Sequence, residues 1–186
     1  MSNKIFEKFK VKDIVFLAII SAVALCTAAV MAVVSHIYIF GLAQLVTAFQ
    51  FSFFLAIALM KVKKTGSLFL FSLFTGLFEL FMAPVMFFSS ICAGLFVEAL
   101  IILIFRGYEK ERAVFLGSFL FIPATLPLNL LFYKLFFSEY FNLFFSQGFN
   151  WLSIIFITGT FIVSALGALL GIKISRELIK AGVLKR

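Results

Sequence analysis

Six apolar runs alternate with short polar segments along this chain, at approximately 14–34, 42–60, 67–84, 86–105, 113–133 and 151–172. A helix needs about 20 mostly apolar residues to cross the hydrocarbon of a bilayer. The pattern predicts an all-α fold, a polytopic membrane bundle of six transmembrane helices forming a single integral membrane domain over residues 1–186. Runs three and four are separated only by "MAPVM", where Pro84 lacks a backbone donor and favours a break. The first run is too long for the apolar region of a cleavable leader, and its small-residue spacing suits a retained span.

Charge sorts onto one side of this six-span arrangement. Lys4, Lys8, Lys10 and Lys12 precede span one; Lys61, Lys63 and Lys64 follow span two; Arg106, Lys110 and Arg112 follow span four. The tail carries Lys173, Arg176, Lys180, Lys185 and Arg186, so of the 16 basic residues only Lys134 falls on the other side. Basic loops stay in the cytoplasm, which predicts that both termini are cytoplasmic.

Composition agrees: 64% of the residues are hydrophobic and 13% charged, with 29 phenylalanines. A soluble domain has about 25% charged residues, so the expected location is a bacterial cytoplasmic membrane, crossed several times. The net charge of +8 lies in topology-setting blocks and does not point to nucleic acid. Cys26 and Cys92 sit inside apolar runs, and His36 is the single histidine, so neither a disulfide framework nor a metal-ligand cluster is expected. Phosphate-binding glycine loops, nucleophile elbows and acidic clusters are also missing. The chain is not expected to be an enzyme, and no cofactor is called for.

Small and polar residues form stripes on the helices. Ala18 and Ala22, with Ala24, Ala28 and Ala32, recur at intervals of four on span one, which lets another helix approach closely. The neighbour is either within the bundle or a partner protein. Thr160, Ser164, Gly167 and Gly171 make a similar stripe on span six, suited to internal packing. Two carboxylates lie on stripes of their own: Ser72, Thr75 or Gly76, and Glu79 on span three, and Ser90, Gly94 and Glu98 on span four.

A charge within a span costs roughly 2.5–3.5 kcal/mol on insertion scales, so both glutamates are candidates for a role. Glu79 lies in the outer half, where a ligand-facing acceptor or counter-ion reachable from outside is the functional reading and a protonated or hydrogen-bonded packing group the alternative. Glu98 lies in the inner half and fits a buried polar group that pairs with a base or caps a helix contact. Outer-half groups that would converge with Glu79 are His36, Tyr38, Gln44, Thr47, Asn129 and Trp151. Asn129 follows "PATLP", whose Pro123 and Pro127 are expected to kink span five and free carbonyls. One carboxylate, two amides and several aromatics suit a flat, partly polar, cationic heterocycle. Residues 134–150, rich in phenylalanine, read as an interfacial helix, an aromatic belt or a lid.

Six spans, both ends inside and an alanine ladder on span one resemble the S components of energy-coupling factor (ECF) transporters. Within that group the chain is similar to the YkoE-type thiamine/hydroxymethylpyrimidine family. The similarity is carried by "KKTG" before span three, "LFEL" followed by "MAP", then "AGLFVEALIILIFR", and by the tail "GALLGIKISRELIKAGVL". The family's glycine-rich turn between spans three and four is replaced here by "MAPVMFFSS". The resemblance implies a subunit that captures a vitamin or its precursor from outside. It would dock through Ala18 and Ala22 onto a membrane coupling subunit, and two partner ATPases would supply the energy. Different classes of function remain open beside it: a self-sufficient secondary transporter or channel, or a non-transport membrane assembly protein.

Overall fold

The computed structural model describes residues 7–30, 39–143 and 151–182. The described residues are helical apart from short turns and contain no strand. Helix α1 runs Val11–Thr27 and continues as a 3-10 turn over Ala28–Val30; α2 is Leu42–Val62, α3 Ser67–Glu79 and α4 Pro84–Phe105. Helix α5 is Glu111–Phe136, α6 the short Ser138–Leu143, and α7 Trp151–Lys180. Helices α2, α4, α5 and α7 are each long and apolar enough to cross a membrane.

The third expected span is cut short. Helix α3 has 13 residues, about 20 Å at 1.5 Å per residue, against a hydrocarbon thickness of about 30 Å. Steric conflict with the Pro84 ring keeps Ala83 out of the helical region, at φ −158° and ψ 125°. The turn closes instead through the Met82 and Ala83 N–H groups, both donating to the Glu79 carbonyl at 2.9 Å. Pro84 then opens α4 at a position where a missing donor costs nothing. Glu79 therefore ends a helix, recessed below the far face of the bundle. Helix α5, by contrast, runs unbroken through Pro123 and Pro127.

The helices close into a ring in the order α7, α2, α1, α3, α4, α5 and back to α7, with α2 also packed across the ring against α5. Two seams show why the small-residue stripes exist. Along α2 and α7, a Cβ added at Gly167 would meet the Phe49 carbonyl oxygen at 2.6 Å, and one at Gly171 the Phe53 carbonyl oxygen at 2.5 Å. Thr160, Ser164 and Ser175 on the same stripe are fully buried. We expect Gly171→Leu to cost about 2–3 kcal/mol, the scale of overpacking against an unyielding backbone, read as a lower unfolding temperature in detergent; an unchanged value would mean that α7 packs elsewhere.

The second seam joins α3 to α4 at three levels. At one end Ser90 Oγ donates to Glu79 Oε2. In the middle, Gly94 lies so close to Ser72 that a Cβ would meet its Oγ at 2.0 Å. At the other end, Glu98 accepts the N–H groups of Gly66 at 2.8 Å, Leu68 at 3.0 Å and Phe69 at 3.2 Å. These donors belong to the first turn of α3, which has no intrahelical partner for them. The carboxylate of one helix thus caps the start of its neighbour, where the helix dipole favours negative charge. Tyr108, fully buried in the α4–α5 turn, neighbours the same carboxylate.

Basic residues cluster at this end of the bundle. Lys64 bridges to Asp13 and to the Lys8 carbonyl, each at 2.8 Å, and Lys61 lies 4.4 Å above the Phe16 ring. Arg176 of α7 grips Glu111 of α5 through two nitrogens. Lys63 donates to the Glu109 carbonyl at 3.3 Å. The segments grouped by the charge pattern thus meet in space.

Candidate functional site

The opposite end of the ring is hollow. Helices α1, α2, α4 and α5 and the end of α3 enclose an open-mouthed cavity of about 630 Å³, its mouth included. Its existence follows from the helix lengths, since α3 stops at Glu79 while α4 and α5 continue past it. Each wall contributes residues at helical intervals: Leu25, Ala28 and Ala29 from α1, Gln44, Thr47 and Phe51 from α2, Met86, Ser89 and Ser90 from α4. Helix α5 contributes Ile122, Thr125 and Asn129, and Met82 stands in the α3–α4 turn.

Glu79 brings the only charge among the described lining residues, and the Ser90 hydroxyl donates to it. The Thr47 and Thr125 hydroxyls donate to carbonyls in their own helices, at 2.9 Å to Ala43 and 2.7 Å to Ile122. Each keeps its oxygen free to accept. Ser89 and Asn129 differ, because the Ser89 hydroxyl and the Asn129 side-chain carbonyl are buried without a hydrogen-bond partner. Unpaired buried polar atoms are uncommon in folded proteins and call for an explanation.

The floor is aromatic. Phe51 packs against Phe71 and Phe121 with both ring centroids at 6.4 Å, and those two rings meet each other at 6.1 Å. Beneath this triad lie Leu55, Leu68, Val97 and Ile101, all fully buried. These apolar side chains fill the bundle beside the α3–α4 seam, along which the buried Ser72 and Thr75 lie between Glu79 and Glu98; the Glu98 oxygens are already engaged by the start of α3.

Of the site residues expected from sequence, Glu79, Gln44 and Asn129 line the cavity. Trp151 stands 69% exposed at the start of α7 and does not line it, because α7 packs behind α2 and α5. His36 and Tyr38 lie outside the described residues. Ala18 and Ala22 lie on a half-buried flank of α1, one residue along from the fully buried Leu17, Ser21 and Ala24. Of segment 134–150, Ser138–Leu143 is helical, packs on α5, and is followed by residues outside the description.

Sequence reading did not pick out Ser89, Thr125, Met82 or Met86 as site residues. Thr125 stands four before Asn129, and Ser89 directly precedes Ser90, which the spacing placed on the stripe of Glu98. Only the Thr125–Asn129 interval was an available signal.

Helical spans, an apolar exterior and a partly polar, open-mouthed cavity define a polytopic integral membrane protein with a cleft at one end. The sequence model of a family described as a hypothetical bacterial integral membrane protein (Trep_Strep) matches residues 11–179. The chain belongs to that family and is a multi-pass protein of the bacterial cell membrane. No curated protein and no solved structure matches it.

Proposed function

We propose that the chain is the substrate-capture subunit of an ECF-type importer, taking a vitamin or vitamin precursor from outside the cell. Thiamine or its hydroxymethylpyrimidine precursor is the favoured ligand. The observation that carries this reading is the cavity ending on Glu79 and facing away from the basic end. Basic ends remain cytoplasmic, so the mouth faces the exterior. A carboxylate among aromatic, methionine and amide groups suits a cationic or amino-bearing ring. A self-sufficient transporter would need free polar stations across the membrane, and Glu98 is already committed to capping the start of α3. The chain has no phosphate-binding loop of its own, so ATP-driven release depends on partner ATPases.

The half-buried Ala18 and Ala22, flanked by the exposed Val15 and Ile19, supply a face on which a coupling helix packs closely. Replacing both alanines by leucine is expected to abolish recovery of the coupling subunit and ATPases in a pull-down while leaving ligand binding intact. Undiminished recovery rejects this face as the dock.

The capture reading itself is tested by purifying the full chain from cells and identifying bound small molecules by mass spectrometry. The chain is then reconstituted in liposomes with and without its ATPase partners. A bound vitamin-like ring, with uptake only when the partners and ATP are present, is the expected result. An empty protein, or uptake by the chain alone, sinks the proposal.

A further inference from the structure

We propose that Ser90 is an internal competitor for Glu79, displaced by an N–H donor of the ligand, and that with Ser89 and Asn129 this makes a site for uncharged or cationic rings that excludes their phosphorylated and carboxylated forms. The inference rests on the capture reading above and deepens it. Among the described residues, Ser90 is the one group that donates to Glu79, and both side chains line the cavity. The bond engages Oε2 of the carboxylate and holds it against α4. A cationic N–H donor of a ligand makes a stronger bond to that oxygen than the neutral hydroxyl it replaces.

Ser89 and Asn129 line the cavity beside Glu79 and Ser90. Ser89 is 1% exposed and Asn129 6% exposed, on facing helices, and each has an oxygen without a partner. The hydroxyl donates or accepts by rotating, and the amide presents either end by turning over. They therefore adapt to a ring edge that carries both donors and acceptors. Glu79 supplies the acceptor oxygen that the Ser90 hydroxyl already uses. No lysine, arginine or histidine lines the cavity among the described residues. A phosphate or carboxylate on the ligand would come to lie beside the Glu79 carboxyl group with no described basic side chain to offset its charge.

The test uses the full chain in lipid nanodiscs and isothermal calorimetry. Probes are thiamine, thiamine monophosphate, hydroxymethylpyrimidine and its phosphate. The free compounds are expected to bind, and their phosphate esters to bind at least about 100-fold more weakly, since like-charge juxtaposition costs several kcal/mol. Ser90→Ala is expected to tighten binding by about three- to tenfold, because it removes one modest hydrogen bond that the ligand must otherwise break. Asn129→Ala and Ser89→Ala are each expected to weaken binding by about tenfold. Unfolding temperatures of the empty variants separate these effects from loss of fold.

Phosphate esters that bind as well as the free compounds overturn the exclusion and leave the capture reading standing. Weaker binding in Ser90→Ala makes Ser90 an ordinary contact and overturns the competition. A co-purified ligand with no N–H donor, or with an anionic group, overturns both parts while vitamin capture survives. If no probe binds and nothing co-purifies, the capture reading fails and takes this proposal with it.

Discussion

Replacing Glu79 by glutamine is expected to leave the bundle folded while lowering affinity for a cationic or amino-bearing ring by roughly 10- to 150-fold. Glutamine has nearly the shape of glutamate and keeps an oxygen that accepts from the Ser90 hydroxyl, so the α3–α4 contact at this end persists. The negative charge is lost. A hydrogen bond to a charged group is worth about 1.5–3 kcal/mol, and each 1.4 kcal/mol is about a factor of ten in affinity, which gives the stated range. Calorimetric titration of wild type and variant, with unfolding temperatures of both, is the measurement. Equal affinities would remove Glu79 from ligand capture; a collapsed unfolding temperature would make it a packing group.

Replacing Glu98 by alanine is expected to do the reverse, leaving the cavity chemistry untouched and weakening the fold. Three backbone N–H groups, on Gly66, Leu68 and Phe69, lose their acceptor together. Each buried donor left unpaired costs about 1–3 kcal/mol. Partial relaxation of the first turn of α3 keeps the total near the lower end of that sum, about 3–5 kcal/mol. At roughly 2–4 °C per kcal/mol for a chain of this size, the unfolding temperature should drop by about 10 °C. Glu98→Gln keeps one acceptor oxygen and should recover part of the loss. A full-strength fold in Glu98→Ala, or a loss of ligand binding in protein that remains folded, contradicts the capping role.

These two glutamates also mark how far the sequence can be read. Their stripes were visible as helical spacing, and so was their difference in depth, because charge placement orders the spans and 1.5 Å per residue converts position into height. What each carboxylate touches was not visible. Spacing says that Ser90, Gly94 and Glu98 share a face; it does not say that this face meets Ser72 and the first turn of α3. The same holds for span one, where the spacing of Ala18 and Ala22 left the neighbouring helix open. Helix α3 shows a boundary effect. Apolarity continues past Glu79 to Pro84, so hydropathy extends the span, whereas the steric demand of proline on Ala83 ends it earlier.

By itself, then, the sequence determined that this is a helical membrane protein, which segments are helices, and which ends carry the positive charge. Those properties are set locally: hydrocarbon selects apolar helices about 20 residues long, and loop charge selects their direction. Only the tertiary structure decided that α7 lies behind α2 and α5, leaving Trp151 outside the chamber. It also decided that α3 stops short beside a cavity, that Phe51, backed by Phe71 and Phe121, lines it, and that Ser89 and Asn129 lie in its wall. Those features depend on which helix faces come together. That choice is made by packing between residues far apart in the chain, such as Gly171 against Phe53 or Gly94 against Ser72, and no local pattern encodes it.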